Sequence, residues 1–433
     1  WFSRQEASAM ATAHTLSSRQ TLTTADGTPL KASLARAERR NRNRALLLVA
    51  PLFLFIFVFF LVPIGDMLFR SVENQMVAEV LHRTVPLLAK WDEQSNELPS
   101  EDVFHAIVED FKEGRENRTT GKVGRRMNYE KSGMTSLFRS TGRKAGKIKQ
   151  GPYKDALIKL NKKWGDVKTW QLLKRESRAL TLSYYLASVD MRFDDTGAVV
   201  RQPDDKRIYI KLFVRTLKLS ALITILCLAL GYPISYLLAT LRVRTSNMLM
   251  ILVLLPFWTS LLVRTTAWIA LLQRQGVIND VLVGLGLISD ENRLAMIHNA
   301  TGTVVAMVHI LLPFLVLPLY SVMKTIPPSY VRAACSLGAT PFTAFMRVYL
   351  PNTVPGIGAG AILVFILAIG YYITPALVGG ISGTLISNLI AYHMSSSLNW
   401  GLAAALGSVL LALVLVLYFL YDKVVGIDNM KMG

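Results

Sequence analysis

The sequence predicts an all-α polytopic membrane protein with six transmembrane helices and a mainly helical, hydrophilic insertion between the first and the second. Three observations predict this fold class. Apolar residues gather into runs of about 20, the length that crosses a bilayer as a helix. Arginines cluster beside particular runs, as is typical of cytoplasmic loops. Segment 72–208 is instead polar, with the 3.6-residue periodicity of amphipathic helices.

Composition excludes several classes of function. Of the 433 residues, 52% are hydrophobic, and the two cysteines, Cys227 and Cys335, lie in an apolar run and a polar loop, so we expect no disulfide. The absence of CxxC and Cys/His clusters argues against a metal site. A formal net charge of +19 fits membrane topology and anionic headgroups better than nucleic-acid binding. No GxxxxGK[ST] motif occurs, so we expect no ATP bound through a phosphate loop.

The first 44 residues are rich in Ser, Thr, Ala and Arg and end in RAERRNRNR. Such a composition cannot build a core, so 1–44 is predicted to be a disordered, basic cytoplasmic segment. The apolar run begins too far along the chain for a signal peptide. The basic cluster therefore marks the inner side of the first transmembrane segment, 45–71, whose apolar part is 45–64, and this helix is expected to run outward.

The insertion, 72–208, is too long for a simple loop and is predicted to be a small extracytoplasmic domain. Helical periodicity appears in 76–90, 101–112 and 153–185, and 194–197 reads as a tight hairpin turn. Its middle carries many lysines and arginines and few acids. Two roles for this charge stay open: solubility with contact to anionic headgroups, or docking of an acidic partner protein.

Five further spans are predicted at 209–240, 247–272, 302–325, 356–378 and 401–421, within a core of 209–425. Arg242 and Arg244 place the loop between the second and third spans inside. Counting alternations then places loop 327–355, the tail 426–433 and both termini on the cytoplasmic side.

Loop 327–355 is polar and reads as two short helices joined at a bend. Pro327 and Pro328 are predicted to stop the preceding helix, and Ser329 to cap a new one that ends at Gly338. The small residues of this first helix allow close approach of another backbone.

The second short helix of the loop is predicted to begin with Thr340 as its cap and Pro341 at its first position. Pro351 is predicted to end it. On these residues alone, an ordinary helical loop between two spans is the favoured interpretation.

A resemblance decides between these interpretations. The loop resembles the "EAA" loop of binding-protein-dependent ABC importer permeases at Arg332, Ala333, Ala334, Gly338, Ala339, Phe345, Leu350 and Pro351. In that family the loop is cytoplasmic and forms the coupling helix that docks in a cleft on the ATPase subunit. The glutamate that usually opens the motif is Arg332 here, so its salt link is not carried over. Docking, which depends on shape around Gly338, is still expected.

Segments 215–239, 254–279, 311–330, 370–380 and 399–411 are similar to permeases of the spermidine/putrescine branch, whereas the insertion matches nothing in that family. The resemblance implies a type I ABC importer permease of the bacterial inner membrane. It implies a second permease, different in sequence from this one, and a periplasmic substrate-binding protein. It also implies two ATPase subunits that hold ATP and Mg, so that this chain is no enzyme and has no cofactor or metal of its own.

Polar and helix-breaking residues inside two predicted spans indicate a solute pathway, because such groups are costly in lipid and face a cavity or a partner helix. Alternatives are a packing kink, hydrogen bonds to neighbouring backbone, snorkelling of Arg264, and, for nearby Trp268, an interfacial anchor. His309 reads as a core histidine, and Gly356 with Gly360 as close helix packing. The predicted pathway residues are Trp258, Thr259, Ser260, Arg264, Thr265, Tyr371, Tyr372 and Thr374.

The solute is left open between two classes. The resemblance implies a polyamine or a related amino-acid-derived compound. Segments 209–272, 302–325 and 356–421, however, contain no Asp or Glu, and Lys218 and Arg264 favour an anionic or zwitterionic solute such as an opine, amino-acid derivative or polycarboxylate chelate. A secondary transporter, which needs internal repeats and intramembrane carboxylates, and a membrane sensor are less favoured.

Overall fold

The structure, a computed structural model, describes residues 30–194 and 197–425. The predictions for 1–29 and for the tail 426–433 lie outside these residues. The predicted mainly helical fold is confirmed: five helices are long and apolar enough to cross a membrane, and a bent pair of helices supplies a sixth candidate span. The one sheet among the described residues has two strands.

The first candidate span, Glu38–Arg70, lies within a longer helical segment. It comprises α1 (Leu30–Ile56), a π-helical turn (Phe57–Leu61) and α2 (Val62–Arg70). Because α1 begins at Leu30, the prediction of disorder is wrong for residues 30–44. Their Ala, Leu, Arg and Glu content favours a helix, and the apolar helix beside them removes the cost of nucleation.

The insertion forms eight α-helices and a hairpin. These elements are α3 (Met76–Val80), α4 (Thr84–Ala89), α5 (Glu101–Glu116), α6 (Thr120–Glu130), α7 (Met134–Lys144), α8 (Tyr153–Leu160), α9 (Val167–Glu176), α10 (Ser183–Ser188), β1 (Met191–Phe193) and β2 (Val199–Arg201). The strands pair antiparallel, with Arg192 opposite Val200, as the hairpin prediction requires. Helices α6 and α7 were not predicted, because their basic residues obscure the apolar periodicity.

An aromatic core holds the insertion together. Trp164, Trp170, Phe104 and Phe138 are fully or almost fully buried. The indole N–H of Trp164 donates to Thr141 Oγ1 (2.9 Å), and that of Trp170 donates to the carbonyl of Trp164 (2.9 Å). With both indole donors satisfied, burial of these rings stabilises the insertion at little polar cost.

A buried ion pair adds a specific polar contact to the insertion. Arg126 Nη2 lies 2.5 Å from Glu176 Oε2, and its Nη1 lies 2.9 Å from Glu130 Oε1. The guanidinium also lies 4.7 Å from the ring centroid of Tyr184. Burial lowers the pKa of Arg126, but the charges of Glu176, Tyr184 and Glu130 outweigh it, so its pKa lies above the ordinary value. Arg126 is therefore a permanent cation that links α6, α9 and α10.

The membrane core follows the insertion. Its helices are α11 (Tyr209–Thr240), α12 (Val243–Leu254), α13 (Leu261–Leu272), α14 (Val277–Gly284), α15 (Ala300–Thr325), α16 (Pro328–Ser336), α17 (Pro341–Ala344), α18 (Leu350–Gly370), α19 (Ile373–Val378), α20 (Gly380–Gly383), α21 (Ile386–Ser395) and α22 (Trp400–Val425). Helices α11, α15 and α18 pack against one another, and their shared core contains Cys227, Leu311, Leu315, Leu319 and Val364.

Close packing of α15 on α18 depends on two glycines, as the GxxxG spacing predicts. A Cβ on Gly356 would lie 2.9 Å from the Cβ of Val322, and one on Gly360 would lie 3.0 Å from the carbonyl oxygen of Leu315. Such small residues let backbones approach closely where no hydrophobic effect drives helices together.

The insertion is fastened to the membrane core at α10 and at the start of α11. Helix α10 packs against α22, and a Cβ on Gly401 would lie 2.4 Å from the Tyr184 ring. The Asp190 carboxylate accepts from the backbone N–H groups of Ile208, Tyr209 and Ile210, at 3.1, 3.0 and 2.9 Å, at the N-terminus of α11. These contacts fix the orientation of the insertion on the N-terminal ends of α11 and α22.

Candidate coupling loop and solute pathway

The bend of loop 327–355 is a Schellman motif. Helix α16 ends at Ser336, and Gly338 has φ of +89°. The N–H of Gly338 donates to the carbonyl of Cys335 (3.0 Å), and that of Ala339 donates to the carbonyl of Ala334 (3.1 Å). These two bonds satisfy helix-end carbonyls, and the left-handed backbone between them favours glycine.

The predicted cap is correct for one of the two short helices and wrong for the other. Thr340 caps α17 as predicted, since its Oγ1 accepts from the N–H of Thr343 (3.2 Å). Ser329 does not cap α16; Pro327 holds that position and Pro328 is already helical. Pro328 is suited to the first helical turn, where its missing N–H has no partner to lose.

The prediction that Pro351 ends the second helix is wrong. The backbone stays helical from Pro341 to Gly370, so the fifth span begins well before residue 356. A π-helical turn, Phe345–Tyr349, ends two residues before Pro351. Proline cannot donate its i−4 hydrogen bond and clashes with that carbonyl, and the wider π turn accommodates the missing bond without breaking the helix.

The loop exposes apolar side chains around the bend. Leu337 is 90% exposed and Phe342 is 69% exposed. Arg332, Ala333 and Gly338 are exposed beside them. The sequence reasoning missed Leu337 and Phe342; a search for large apolar residues flanking Gly338 would have found them.

Other predicted coupling residues fasten the loop to the membrane core. The Phe345 ring packs edge-to-face on Tyr236 of α11, with centroids 5.6 Å apart, and lies 5.6 Å from the ring of Tyr349. Phe345 and Leu350 are half-buried, Ala334 and Ala339 are also partly covered, and Pro351 is exposed on the continuous helix. The bend is therefore presented to solvent while its C-terminal side is held against α11.

The third predicted span is interrupted where the sequence predicts a break. Helix α12 runs into a 3-10 turn, Leu255–Trp258, and α13 begins only at Leu261, with the pair bent by 97°. Residues 247–272 are therefore not one straight helix. Trp258, Thr259 and Ser260 lie at this bend and are exposed, and the Thr259 hydroxyl donates to the carbonyl of Pro256 (2.9 Å).

A second interruption separates α18 from α19 at Tyr371 and Tyr372. Their carbonyls accept side-chain hydrogen bonds from α21: Ser387 donates to Tyr371 and Asn388 donates to Tyr372, both at 2.6 Å. The backbone groups freed by the break thus have partners, as non-helical backbone at membrane depth requires.

The two interruptions bring part of the predicted pathway together. Thr265 on α13 and Thr374 on α19 are both fully buried, with their hydroxyl oxygens 3.4 Å apart. Trp258, Thr259, Ser260 and Tyr372 do not join this contact and lie on exposed surface. The predicted residues therefore divide into a buried polar contact and an exposed bend.

A basic and aromatic cluster adjoins this contact. The Trp268 indole N–H donates to Nδ1 of His309 (3.1 Å), so His309 does not stand alone in its span. The Nε of Arg264 is buried and has no hydrogen-bond partner among the described residues. Arg264 interacts electrostatically with both His309 and Tyr371. The cluster can present a cation and three rings to a solute.

Within 30–194 and 197–425, no group of three His, Cys, Asp or Glu side chains could hold a metal ion.

Comparison with known proteins covers the membrane core. Residues 231–425 match the family described as "binding-protein-dependent transport system inner membrane component". Over 222 residues the chain is 34% identical to the spermidine/putrescine transport system permease protein PotB of Haemophilus influenzae, a match that takes in 51% of this chain and 77% of that protein.

Two further likenesses have lower identity. The inner membrane ABC transporter permease protein YdcU of Escherichia coli is 32% identical, covering 50% of this chain and 71% of that protein. Among solved structures, a bacterial ABC transporter that imports alginate is similar at 20% identity with a TM-score of 0.41, over 54% of this chain and 82% of that one.

The match to PotB covers most of the relative's length. The residues that match the family, 231–425, include the loop and both helix interruptions described above. The chain is a polytopic membrane protein and belongs to the family of binding-protein-dependent transport system inner membrane components, the permease subunits of ABC importers.

Proposed function

We propose that this chain forms half of the pathway of an ATP-driven importer and receives force through loop 327–355. The observation that carries the proposal is the bend at Gly338. It exposes Leu337 and Phe342, while Phe345 fixes the loop on α11. Exposed apolar side chains that are held in a fixed position are suited to docking in a groove of another protein.

The topology proposed here places loop 327–355 and both ends of the described chain in the cytoplasm. The arginines between α11 and α12 support this orientation. The insertion is then extracytoplasmic, since long segments translocate largely regardless of their charge.

The assembly proposed here has three kinds of partner. A second permease, different in sequence, completes the pathway; two ATPase subunits hold ATP and Mg and dock on the loops; and a substrate-binding protein delivers the solute on the outer face. This chain holds no nucleotide.

The solute proposed first is a polyamine. The names of the PotB relatives support it, and the Trp268 and Tyr371 rings offer the π faces that attract ammonium groups.

A second candidate is an anionic or zwitterionic solute, which one observation favours. Arg264 Nε is buried without a partner, and no carboxylate occurs in 209–272, 302–325 or 356–421 to neutralise it. A buried charged N–H group without a partner is costly, and a carboxylate of the solute would satisfy it.

The docking proposal is tested by replacing Gly338 with tryptophan in the reconstituted importer. Gly286 is a matched control, because it also has positive φ (+69°) and nothing within 4 Å of its missing Cβ. Gly338→Trp is expected to abolish ATPase co-purification and transport, whereas Gly286→Trp retains both. Intact association in Gly338→Trp would show that the bend is not the docking site.

The solute is tested with the cognate binding protein and the importer in proteoliposomes. Putrescine and spermidine are compared with an opine and a polycarboxylate chelate, first as stabilisers of the binding protein and then as transported solutes. A polyamine solute predicts that Arg264→Gln retains or improves transport. An anionic solute predicts that Arg264→Gln loses transport and that Arg264→Lys partly restores it.

A further inference from the structure

The insertion carries a concentrated positive charge that neither the membrane pathway nor the coupling loop uses. From residue 131 to 163, ten of the eleven charged residues are lysine or arginine. Eight of the ten are exposed, and six of these, here called the basic surface, are Arg139, Arg143, Lys144, Lys147, Lys149 and Lys159. None of these six forms an ion pair with a described residue, so their charge is available to a partner.

The basic surface is mounted on rigid structure. Arg139 and Arg143 lie on α7, whose buried side includes Leu137 and Phe138, and Lys159 lies on α8, whose Leu157 is fully buried. These apolar residues belong to the same aromatic core as Trp164. Because the charged side chains extend from packed helices, their spacing is fixed before a partner arrives, which lowers the entropy cost of docking.

The position of the basic surface favours a protein over the lipid of the membrane. Helices α7 and α8 pack against α5, α6 and the 3-10 turns beside them, and in the described structure neither packs against a helix of the membrane core. The fastening points of the insertion are instead Tyr184, against Gly401, and Asp190, at the start of α11. The basic surface thus lies on the part of the insertion that is not fastened to the membrane helices.

We infer that the basic surface is a docking and steering site for an acidic face of the substrate-binding protein. The inference rests on the proposed function, which places the insertion on the side where that protein delivers its solute. Opposite charge on the two faces would speed their encounter and orient the approach, and the rigid fastening at Tyr184 and Asp190 would hold the bound protein over the outer ends of α11 and α22.

The test measures association between the purified, solute-loaded binding protein of this importer and the whole importer in nanodiscs, by stopped-flow fluorescence at low and high salt. The test variant carries Arg139→Glu, Lys147→Glu and Lys159→Glu. The matched control carries Lys90→Glu, Arg201→Glu and Lys206→Glu, which are also exposed, unpaired and on the insertion, and which change the net charge equally. Both are compared in phosphatidylcholine nanodiscs with and without phosphatidylglycerol.

At low salt the test variant is expected to associate about tenfold more slowly than wild type, and the control less than about twofold more slowly. The difference should disappear at high salt, because screening removes steering. Equal rates for the two variants would overturn the inference, as would a difference seen only with phosphatidylglycerol, which would assign the surface to lipid. If the wild-type importer did not bind the substrate-binding protein, or did not hydrolyse ATP when that protein was added, the proposed function would be wrong instead.

Discussion

The side-chain oxygens of Thr265 and Thr374 lie 3.4 Å apart and join two helices that each begin after an interruption in a membrane span. Thr265 also donates to the carbonyl of Leu261 (2.9 Å) within its own helix. Both threonines are fully buried. Residues far apart in sequence therefore share one polar contact, beside the half-buried Arg264.

Replacing Thr374 with valine keeps the volume and removes the contact. We expect a loss of about 0.6 kcal/mol in the free energy of unfolding, because Thr265 keeps its bond to Leu261. Thermal unfolding in detergent measures the loss of stability of Thr374→Val, Thr265→Val and the double variant. The double variant should lose less than the two single losses added together, and strict additivity would mean that the hydroxyls do not interact.

Replacing Gly401 tests the contact between the insertion and α22. A Cβ there would lie 2.4 Å from the Tyr184 ring, so Gly401→Ala is expected to cost about 1–3 kcal/mol. Gly407 lies on the same helix with nothing within 4 Å, and Gly407→Ala should be neutral or slightly stabilising. Thermal unfolding and protease sensitivity of the insertion distinguish them. Equal behaviour of the two variants would mean that Tyr184 does not pack tightly on Gly401.

Because Arg126 pairs with the buried Glu176, replacing Arg126 is expected to lower the stability of the insertion far more than replacing its neighbour Arg125. Arg126→Met leaves the fully buried Glu176 without its closest cation and is expected to destabilise the insertion by about 3–5 kcal/mol. Arg125→Met, at an exposed position, is expected to stay within about 0.5 kcal/mol of wild type. Chemical denaturation followed by tryptophan fluorescence reports on Trp164 and Trp170. Similar midpoints for both variants would contradict the structural role of Arg126.

Sequence reasoning succeeded where a strong local rule applies. Gly338 was predicted as a helix terminator because only glycine adopts positive φ at little cost, and Thr340 was predicted as a cap because its hydroxyl can accept a backbone N–H. Apolar run length gave the membrane spans. The break after Pro256 followed from proline inside a polar cluster.

It failed where tertiary contacts override the local rule. Pro351 reads as a helix stop, but the π turn before it keeps the helix continuous. The sequence leaves Trp268 open as an interfacial anchor or a pathway residue, and it gives no sign of the hydrogen bond to His309, 3.1 Å away on another helix. The local sequence predicts neither the tertiary partner of a side chain nor the turn that accommodates a proline. The role of the insertion was left open for the same reason, since charge gives the sign of a partner but not the surface that meets it.

Docking of the ATPase subunit is tested most directly by replacing the exposed apolar side chain at the bend of loop 327–355. Leu337→Asp should leave the fold intact, because Leu337 is 90% exposed, yet it places a charge in the proposed docking groove. Ile381→Asp is the matched control, since Ile381 is also 90% exposed but lies away from the loop in sequence. The measurement is the amount of ATPase subunit that co-purifies with each variant in mild detergent. We predict a loss of about tenfold or more for Leu337→Asp and none for Ile381→Asp, corresponding to at least about 1.4 kcal/mol of binding free energy. Full retention of the ATPase by Leu337→Asp would contradict the assignment of the bend as the site that receives force.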